Sequence, residues 1–345
     1  MIMVGSVYIT GHYIDEVRNP LVGPIFDQVM SKMFGRTREE IKKYRQKHGS
    51  IMGPMHVELN EDMLTVISTP SRIHPPCVKG TSFEKHPFFE ASSIRKVGDT
   101  YYFIYSSRQG HELCYATSKY PDRDFVFGGV IISNGDIGYQ GRKKKDSVNV
   151  TGTNHGSIEK IGDQWYVFYH RGTHRSDYSR QGCAEPIEFQ SDGSIEQVEV
   201  TSSGLNNAPL KDQGTYPAPI CCNLSNGRMP YIGNKILKKK IPAIYSDGKD
   251  RYISEIRSRT YIGYKYFFFQ KARKVRVTIR GNAKGKLLVK HDLTDDEIGA
   301  LDINVKSTRE WRSFETDISP TLGKHPLYFT YQGKGSFDML QFELI

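Results

Sequence analysis

Glu90 is the residue whose surroundings in the sequence best suit it to chemistry, because it stands between an aromatic pair and a strongly patterned β-hairpin. The rings of Phe88 and Phe89 would shield its carboxyl group from water, which favours the protonated form that a general acid needs. The alternative is an ordinary surface glutamate ahead of a strand, which is the usual state of a single Glu. The elements around Glu90 have to decide between these interpretations.

The hairpin that follows Glu90 occurs twice in the chain. Two strand-like runs flank Gly98-Asp99, a two-residue turn signal. Residues 157–169 match residues 93–105 at a constant offset of 64, around a second Gly-Asp pair. Repeated four-stranded antiparallel units indicate the blades of a β-propeller, although a β-sandwich also contains similar hairpins. Further strands of these units are predicted at 111–118 and 126–132.

Residues 13–50 break the β pattern and predict a helical insertion. Apolar residues have helical spacing over Ile25–Phe34, and Thr37 with Glu40 forms a capping-box signature for a second helix. Before this insertion, Ser6–Thr10 looks like the second half of a hairpin whose first half is not in the chain. Because a propeller hides its edges by closing into a ring, the sequence predicts that the first blade or blades are missing.

The composition favours a folded protein rich in strands. The chain has 345 residues, enough for two domains, with 37% hydrophobic and 12% aromatic residues. No apolar run approaches the length of a membrane helix, and Met1–Thr10 lacks the features of a secretory signal, so we expect no membrane association and a cytoplasmic location if Met1 is the true start. The 5 cysteines are odd in number and without metal-ligand spacing, which favours reduced thiols.

The net charge of +10 is concentrated in one segment. Between Asn234 and Lys290 there are 17 Lys or Arg against 3 Asp or Glu, a local charge of +14 that leaves −4 for the remainder. Within this segment, positive residues alternate with β-forming residues at 274–280, as on the solvent face of a half-buried strand. We favour that interpretation and keep nucleic-acid binding as a minor alternative.

Several ordered motifs resemble the family 43 glycoside hydrolases over roughly residues 5–230. The motifs are Phe88-Phe89-Glu90-Ala91-Ser92-Ser93-Ile94-Arg95-Lys96, Asn154-His155-Gly156-Ser157, Trp165-Tyr166-Val167-Phe168-Tyr169-His170-Arg171 and Ser179-Arg180-Gln181-Gly182-Cys183-Ala184-Glu185. The resemblance implies a five-bladed β-propeller that acts on xylans and arabinans, of the β-xylosidase or α-L-arabinofuranosidase type. It also implies an inverting mechanism without a required cofactor.

The resemblance assigns Glu90 as the general acid. The family also uses an Asp general base and a second Asp that tunes the acid, and both of their positions would fall before Met1, so the chain resembles an amino-terminally truncated member. Asp15, Asp27 and Asp62 are available but do not stand in the family's motifs. Since an inverting pair must straddle the glycosidic bond, the alternative is an incomplete remnant that only binds carbohydrate.

The same resemblance implies three substrate-binding residues, Phe89, His155 and Arg180. His155 resembles a central-channel histidine that in some members lies near a bound calcium ion, and a possible Ca²⁺ site at His155 is ranked below a role in the substrate pocket. The alternatives are a histidine hydrogen-bonded at the start of a hairpin and an arginine in a surface salt bridge. Trp165 and Tyr169 are expected in the core rather than on a sugar platform.

The carboxyl-terminal part resembles the family 6 carbohydrate-binding modules, with short strands at β-sandwich (jelly-roll) spacing. Such modules often bind sugar through aromatics and an Asn, but Asp338 stands where that Asn is expected, and Trp311 is as readily a core residue. A structural sandwich is therefore the favoured interpretation. The predicted organisation is a hydrolase domain at 1–232, a linker at 233–240 and the module at 241–345. The predicted partner is a plant cell-wall oligosaccharide or polysaccharide, with no nucleic acid and no membrane; the oligomeric state is left open.

Overall fold

The computed structural model describes residues 27–28, 30–32, 35–48, 54–73, 78–152, 154–174, 176, 178–227 and 241–345. The predicted strand at Ser6–Thr10 and the predicted linker at 233–240 lie outside these ranges. Within them, the helices are all too short or too polar to cross a membrane.

The chain divides into two compact units. The first contains Met1–Val130 together with His155–Ser157, and the second contains Ile131–Asn154 together with Ile158–Ile345. Strands are the main regular secondary structure of both units, so the predicted all-β class is confirmed.

The helix of the first unit begins where the capping box predicts. Thr37 Oγ1 accepts a hydrogen bond from the Glu40 backbone N–H at 3.2 Å, and Glu40 Oε2 accepts from the Thr37 N–H and hydroxyl at 2.8 and 2.9 Å. These contacts satisfy two backbone donors that a helix start leaves without partners. Helix α1 therefore runs over Arg38–His48, and residues 27–28 and 30–32 are also helical.

Two small sheets account for the strands of the first part of the chain. A two-stranded antiparallel sheet pairs β1 with β2, and a four-stranded sheet has the order β3-β4-β5-β6. The strands are Met55–His56 (β1), Ser71–Arg72 (β2), Phe88–Val97 (β3), Thr100–Ser107 (β4), Glu112–Ser118 (β5) and Val126–Ser133 (β6). The turn between β3 and β4 lies at Gly98-Asp99, where Gly98 has φ of 57°. The predicted hairpin is thereby confirmed.

One hydrophobic core cluster of this unit lies on one face of the four-stranded sheet. Alternate residues of β4 and β5 point into it, as the period of two in a strand requires. They pack with side chains from the segments that flank the sheet: Ile73, Phe83, Phe103, Tyr105, Cys114, Ala116 and Phe125.

The second copy of the hairpin forms a three-stranded sheet with the order β7-β8-β9. The strands are Gly156–Ile161 (β7), Gln164–Gly172 (β8) and Arg180–Ile187 (β9). Gly162 has φ of 59°, the same left-handed conformation as Gly98 at the equivalent turn. The sequence repeat therefore corresponds to a repeat of structure.

A nine-stranded sheet contains the remaining strands of the second unit. They are Leu210–Lys211 (β10), Gly214–Pro217 (β11), Asn223–Ser225 (β12), Ala243–Ser246 (β13), Arg251–Ile256 (β14), Tyr261–Phe269 (β15), Lys274–Lys290 (β16), Gly299–Asp317 (β17) and Gly323–Leu344 (β18). Strands β10 and β12 pair with β15, and β11 pairs with β18, although all three precede the predicted linker. The domain boundary at residue 232 stays a prediction.

The expectation of short strands in this region is wrong for β16, β17 and β18, which have 17, 19 and 22 residues. Glycines that look like turn signals in the sequence lie inside these long paired strands, at positions where the backbone departs from regular strand conformation. Gly335 has φ of 78°, and a Cβ atom there would clash with the Asn282 carbonyl oxygen. A residue with a side chain would block that close approach of the strands, so glycine serves strand pairing here rather than a turn.

Candidate active site

Glu90 lies in β3 where the strand departs from regular pairing. Its partner on β4 is Ser106, and the next register pair is Ser93 with Ile104, so β3 carries an extra residue between them. Ala91 lies in this bulge with φ of 57°, a conformation that residues other than glycine rarely adopt. Bulges re-aim side chains, and strained backbone clusters at functional sites. The backbone thus distinguishes Glu90 from an ordinary strand residue.

His155 holds the Glu90 carboxyl group. Its Nε2 atom lies 2.8 Å from Glu90 Oε1, and the two side chains are 28% and 32% exposed. An ionised carboxylate only accepts hydrogen bonds, so against ionised Glu90 the Nε2 atom carries the proton and donates. The contact fixes one oxygen of the carboxyl group while a third of the side chain stays open to a ligand.

The segment that carries His155 has a second contact with β3. Ser157 Oγ lies 2.9 Å from Ser93 Oγ, and these serines occupy equivalent positions in the two copies of the hairpin. His155–Ser157 belongs to the same compact unit as β3. Two side-chain contacts, one from each end of this three-residue segment, therefore position the histidine against Glu90.

The two aromatic residues before Glu90, Phe88 and Phe89, differ in their surroundings. The Phe88 ring packs against the core rings of Phe103 and Tyr105, with centroid distances of 5.8 and 5.9 Å. Phe89 is half-buried on the next position of β3. Phe88 therefore has a packing role, and the role of Phe89 in substrate binding stays a prediction.

Arg180 lies in the second unit, at the first position of β9. It is exposed, and its Nη1 atom donates to His170 Nε2 at 3.3 Å. Its role in substrate binding stays a prediction. Tyr169 is 3% exposed, as expected for a core residue, and Trp165 packs edge-on against Phe189 with centroids 5.4 Å apart.

A buried carboxylate that sequence reasoning missed supports the start of β3. Glu112 Oε1 accepts hydrogen bonds from His86 Nδ1 at 2.6 Å and from the Ser107 hydroxyl at 2.5 Å. Burial raises the pKa of Glu112, but these two hydrogen bonds and the electrostatic influence of His86 and His111 together outweigh burial, so the pKa lies below its usual range. Ser107 pairs with Phe88 two residues before Glu90. An acidic residue at an inward position of a predicted strand was the signal available for this network.

The second unit buries two further carboxyl groups, Glu185 and Asp136. Burial raises the pKa of Glu185 to about 7, although Thr201 donates to it through its N–H at 2.8 Å and its hydroxyl at 2.5 Å. Burial likewise raises the pKa of Asp136 to about 6, against a hydrogen bond of 2.8 Å from the Val200 N–H. Glu185 ends the fourth motif, where the sequence offered no sign of its burial.

These raised pKa values predict how stability depends on pH. A carboxyl group whose pKa is higher in the folded protein contributes stability that is fully present below its unfolded pKa and is lost as pH rises through its folded pKa. For Glu185 this window runs from about 4.5 to about 7. We expect Glu185→Gln to reduce the decline of unfolding free energy across this window, by up to about 1.4 kcal/mol per pH unit.

Urea unfolding of both proteins at pH values from 4.5 to 8 measures this difference. The matched control is Glu188→Gln, since Glu188 lies three residues along and is exposed. Identical pH slopes in the wild type and the Glu185 variant would contradict the assignment.

The residues around His155 do not match a calcium site. Ca²⁺ takes six to eight oxygen ligands, and carboxylates supply most of the charge. Among the described residues, the His, Cys, Asp and Glu side chains close enough to share an ion are His86, Glu112 and Cys114, and His155 is not in that group. The nitrogen and sulfur donors of that group do not suit calcium either. We therefore derive no step through a metal ion.

The family of this site follows from its sequence. Residues 35–195 match the profile described as "Glycosyl hydrolases family 43". This segment belongs to glycosyl hydrolase family 43. All four motifs around Glu90, His155 and Arg180 fall inside it, so the resemblance on which the general acid was assigned is confirmed for the family.

Two curated relatives match the family 43 segment and the residues that follow it. A protein of Thermoclostridium stercorarium named "Xylosidase/arabinosidase" is 43% identical over 303 residues, which is 85% of this chain and 64% of the relative. An "Arabinoxylan arabinofuranohydrolase" of Bacillus subtilis (strain 168) is 25% identical over 308 residues, which is 83% of this chain and 54% of the relative. The chain spans less than two thirds of the length of either relative.

A solved structure of a family 6 carbohydrate-binding module from Clostridium cellulolyticum, in complex with xylose, is also similar. It aligns with 39% of this chain and 98% of its own, at 13% identity and a TM-score of 0.33. At that TM-score the likeness carries no argument about this chain.

Proposed function

We propose that this chain is part of a hydrolase of O-glycosidic bonds in xylan- or arabinan-derived saccharides, with Glu90 as the general acid. The observation that carries the proposal is the contact of His155 with Glu90, which itself lies on a bulged strand inside the family 43 segment. The carboxyl group is held on one oxygen and partly exposed, as a proton donor to a bound substrate must be.

The proposed mechanism is single displacement with inversion. Glu90 gives its proton to the glycosidic oxygen as the bond to the anomeric carbon breaks, while a second carboxylate activates water on the opposite face of the sugar. His155 orients the Glu90 carboxyl group and remains hydrogen-bonded to the carboxylate that forms. Asp62 is not offered as the base, because its oxygens accept from Leu64 and Thr65 in an exposed turn.

We also propose the finer architecture. The sheets β3–β6 and β7–β9 are taken as blades of a five-bladed β-propeller, supported by the repeated hairpin and by β4, where six successive residues are buried. Closure of a ring covers both faces of such strands. The strands at 241–345 are taken as a β-sandwich module that follows the hydrolase domain.

Product analysis tests the proposed activity. The purified chain is incubated with arabinoxylan and arabinan oligosaccharides, and with a mixed-linkage β-glucan as the unrelated control. We expect free pentose from the first two and no sugar from the third. Binding of the oligosaccharides without any release of pentose would contradict hydrolysis and support the alternative, a remnant that only binds carbohydrate.

A further inference from the structure

One face of the second unit carries lysines that form no ion pair with a carboxylate of the described residues. We define the lysine face as the outward side chains of β16, β17 and β18 around Lys284, namely Asn282, Lys284, Lys286, Asp302, Asn304, Lys306, Gln332 and Lys334. All eight are exposed, and Ala283, Val305 and Tyr331, which point to the opposite side of the same strands, are buried in the core. The face is therefore the solvent side of a regular ladder.

The strand register brings positive charges together at the centre of this face. Lys284 lies directly opposite Lys334 on β18 and opposite Asn304 on β17. Directly opposed side chains have Cβ atoms about 5 Å apart, and like charges at that distance destabilise the sheet. Asp302 lies opposite Lys286 on the same face, but the two do not form an ion pair.

The opposite end of the same three strands is built differently. Arg276 lies between Glu315 on β17 and Glu343 on β18, and forms ion pairs with both at 2.9 and 2.7 Å. Lys284 lies eight residues later on β16 and has the same central position. Its neighbours, however, are the amide of Asn304 on β17 and a second lysine, Lys334, on β18. In the part of the chain that the structure describes, no ion pair involves Lys284, Lys286, Lys306 or Lys334.

We propose that the lysine face binds a polysaccharide that carries uronate carboxylates. The lysines offer positive charge to the carboxylates, and the interspersed amides of Asn282, Asn304 and Gln332 can donate to and accept from sugar hydroxyls. Nucleic acid fits less well, because these outward positions carry neither an aromatic ring for base stacking nor an arginine fork for phosphate. The choice of a polysaccharide rests on the proposed function.

The test measures binding of the full chain to polygalacturonate and to the same polymer after reduction of its carboxyl groups. The double variant Lys284→Gln/Lys334→Gln is compared with Lys249→Gln/Lys271→Gln, which removes the same charge from two exposed lysines outside the face. We expect polygalacturonate to bind, the reduced polymer to fail, and the first variant to bind about fivefold more weakly while the control changes by less than about twofold.

The proposal would be overturned by no binding of polygalacturonate, by equal binding of the reduced polymer, or by equal weakening in the control variant. Duplex DNA that binds as tightly as polygalacturonate and weakens with the same variant would also overturn it, in favour of a nucleic-acid surface. The binding test does not require turnover. The lysine face can therefore be confirmed or overturned even if the product analysis detects no hydrolysis. Thermal unfolding of each variant confirms that the sheet remains folded.

Discussion

Replacing Glu90 by glutamine is expected to lower turnover of an unactivated xyloside or arabinoside by about 10²- to 10⁴-fold, the usual contribution of a general acid. Glutamine has nearly the same shape and can still hydrogen-bond to His155, but it has no proton to give to the leaving oxygen. The substrate should therefore bind with little change in KM while kcat falls. Steady-state kinetics of a chain shown to be active measure both values.

Glu61→Gln is the matched control for this variant. Glu61 lies in the same unit and is exposed, so the same chemical change there should leave kcat and stability unaltered. Normal kcat in the Glu90 variant would show that another group donates the proton. A fall in kcat accompanied by a lower unfolding temperature of the Glu90 variant would indicate a structural role for Glu90.

The second large effect is expected at His155. His155→Ala removes the group that fixes Glu90 Oε1 at 2.8 Å, and a misplacement of about 1 Å in a catalytic group can cost about 10²-fold in rate. We therefore expect kcat/KM on the same substrates to fall by roughly 10²-fold. Because the histidine positions the carboxyl group and donates no proton to substrate, the fall should be smaller than for Glu90→Gln.

His155→Gln distinguishes positioning from mere packing. The glutamine amide retains an N–H donor that can reach the carboxylate, so we expect it to recover a substantial part of the activity lost in His155→Ala. Equal activity in the two variants would contradict a positioning role. Ser157→Ala, which removes the contact with Ser93 Oγ at 2.9 Å, should produce a smaller loss in the same direction.

Local patterns in the sequence were sufficient for the short-range elements. The hairpin at Gly98-Asp99 and the start of α1 at Thr37 depend on turn and capping chemistry within a few residues, and both were predicted correctly. The long strands were not predicted. A glycine such as Gly335 looks the same in a sequence whether it forms a turn or allows a neighbouring strand to approach closely, as Asn282 does here. The partner strand decides between these uses, and it lies far away in the sequence.

The candidate site shows the same limit. Glu90 could be singled out by its neighbours, but the bulge at Ala91 has no sequence signature, because alanine rarely takes a positive φ. The contact between Glu90 and His155 joins two segments 65 residues apart, and the resemblance to family 43 alone suggested a shared site. The buried carboxyl groups of Glu112 and Glu185 escaped attention because burial depends on packing that the local sequence does not encode.

The measurement that tests the central claim most directly is the dependence of kcat/KM on the leaving group, for the wild type and Glu90→Gln. The substrates are aryl pentosides that range from dinitrophenyl to unsubstituted phenyl. If Glu90 protonates the leaving oxygen, the wild type varies little across the series, while the variant falls steeply and loses most activity on the phenyl glycoside. Parallel dependences in the two proteins would contradict the assignment of Glu90 as the general acid.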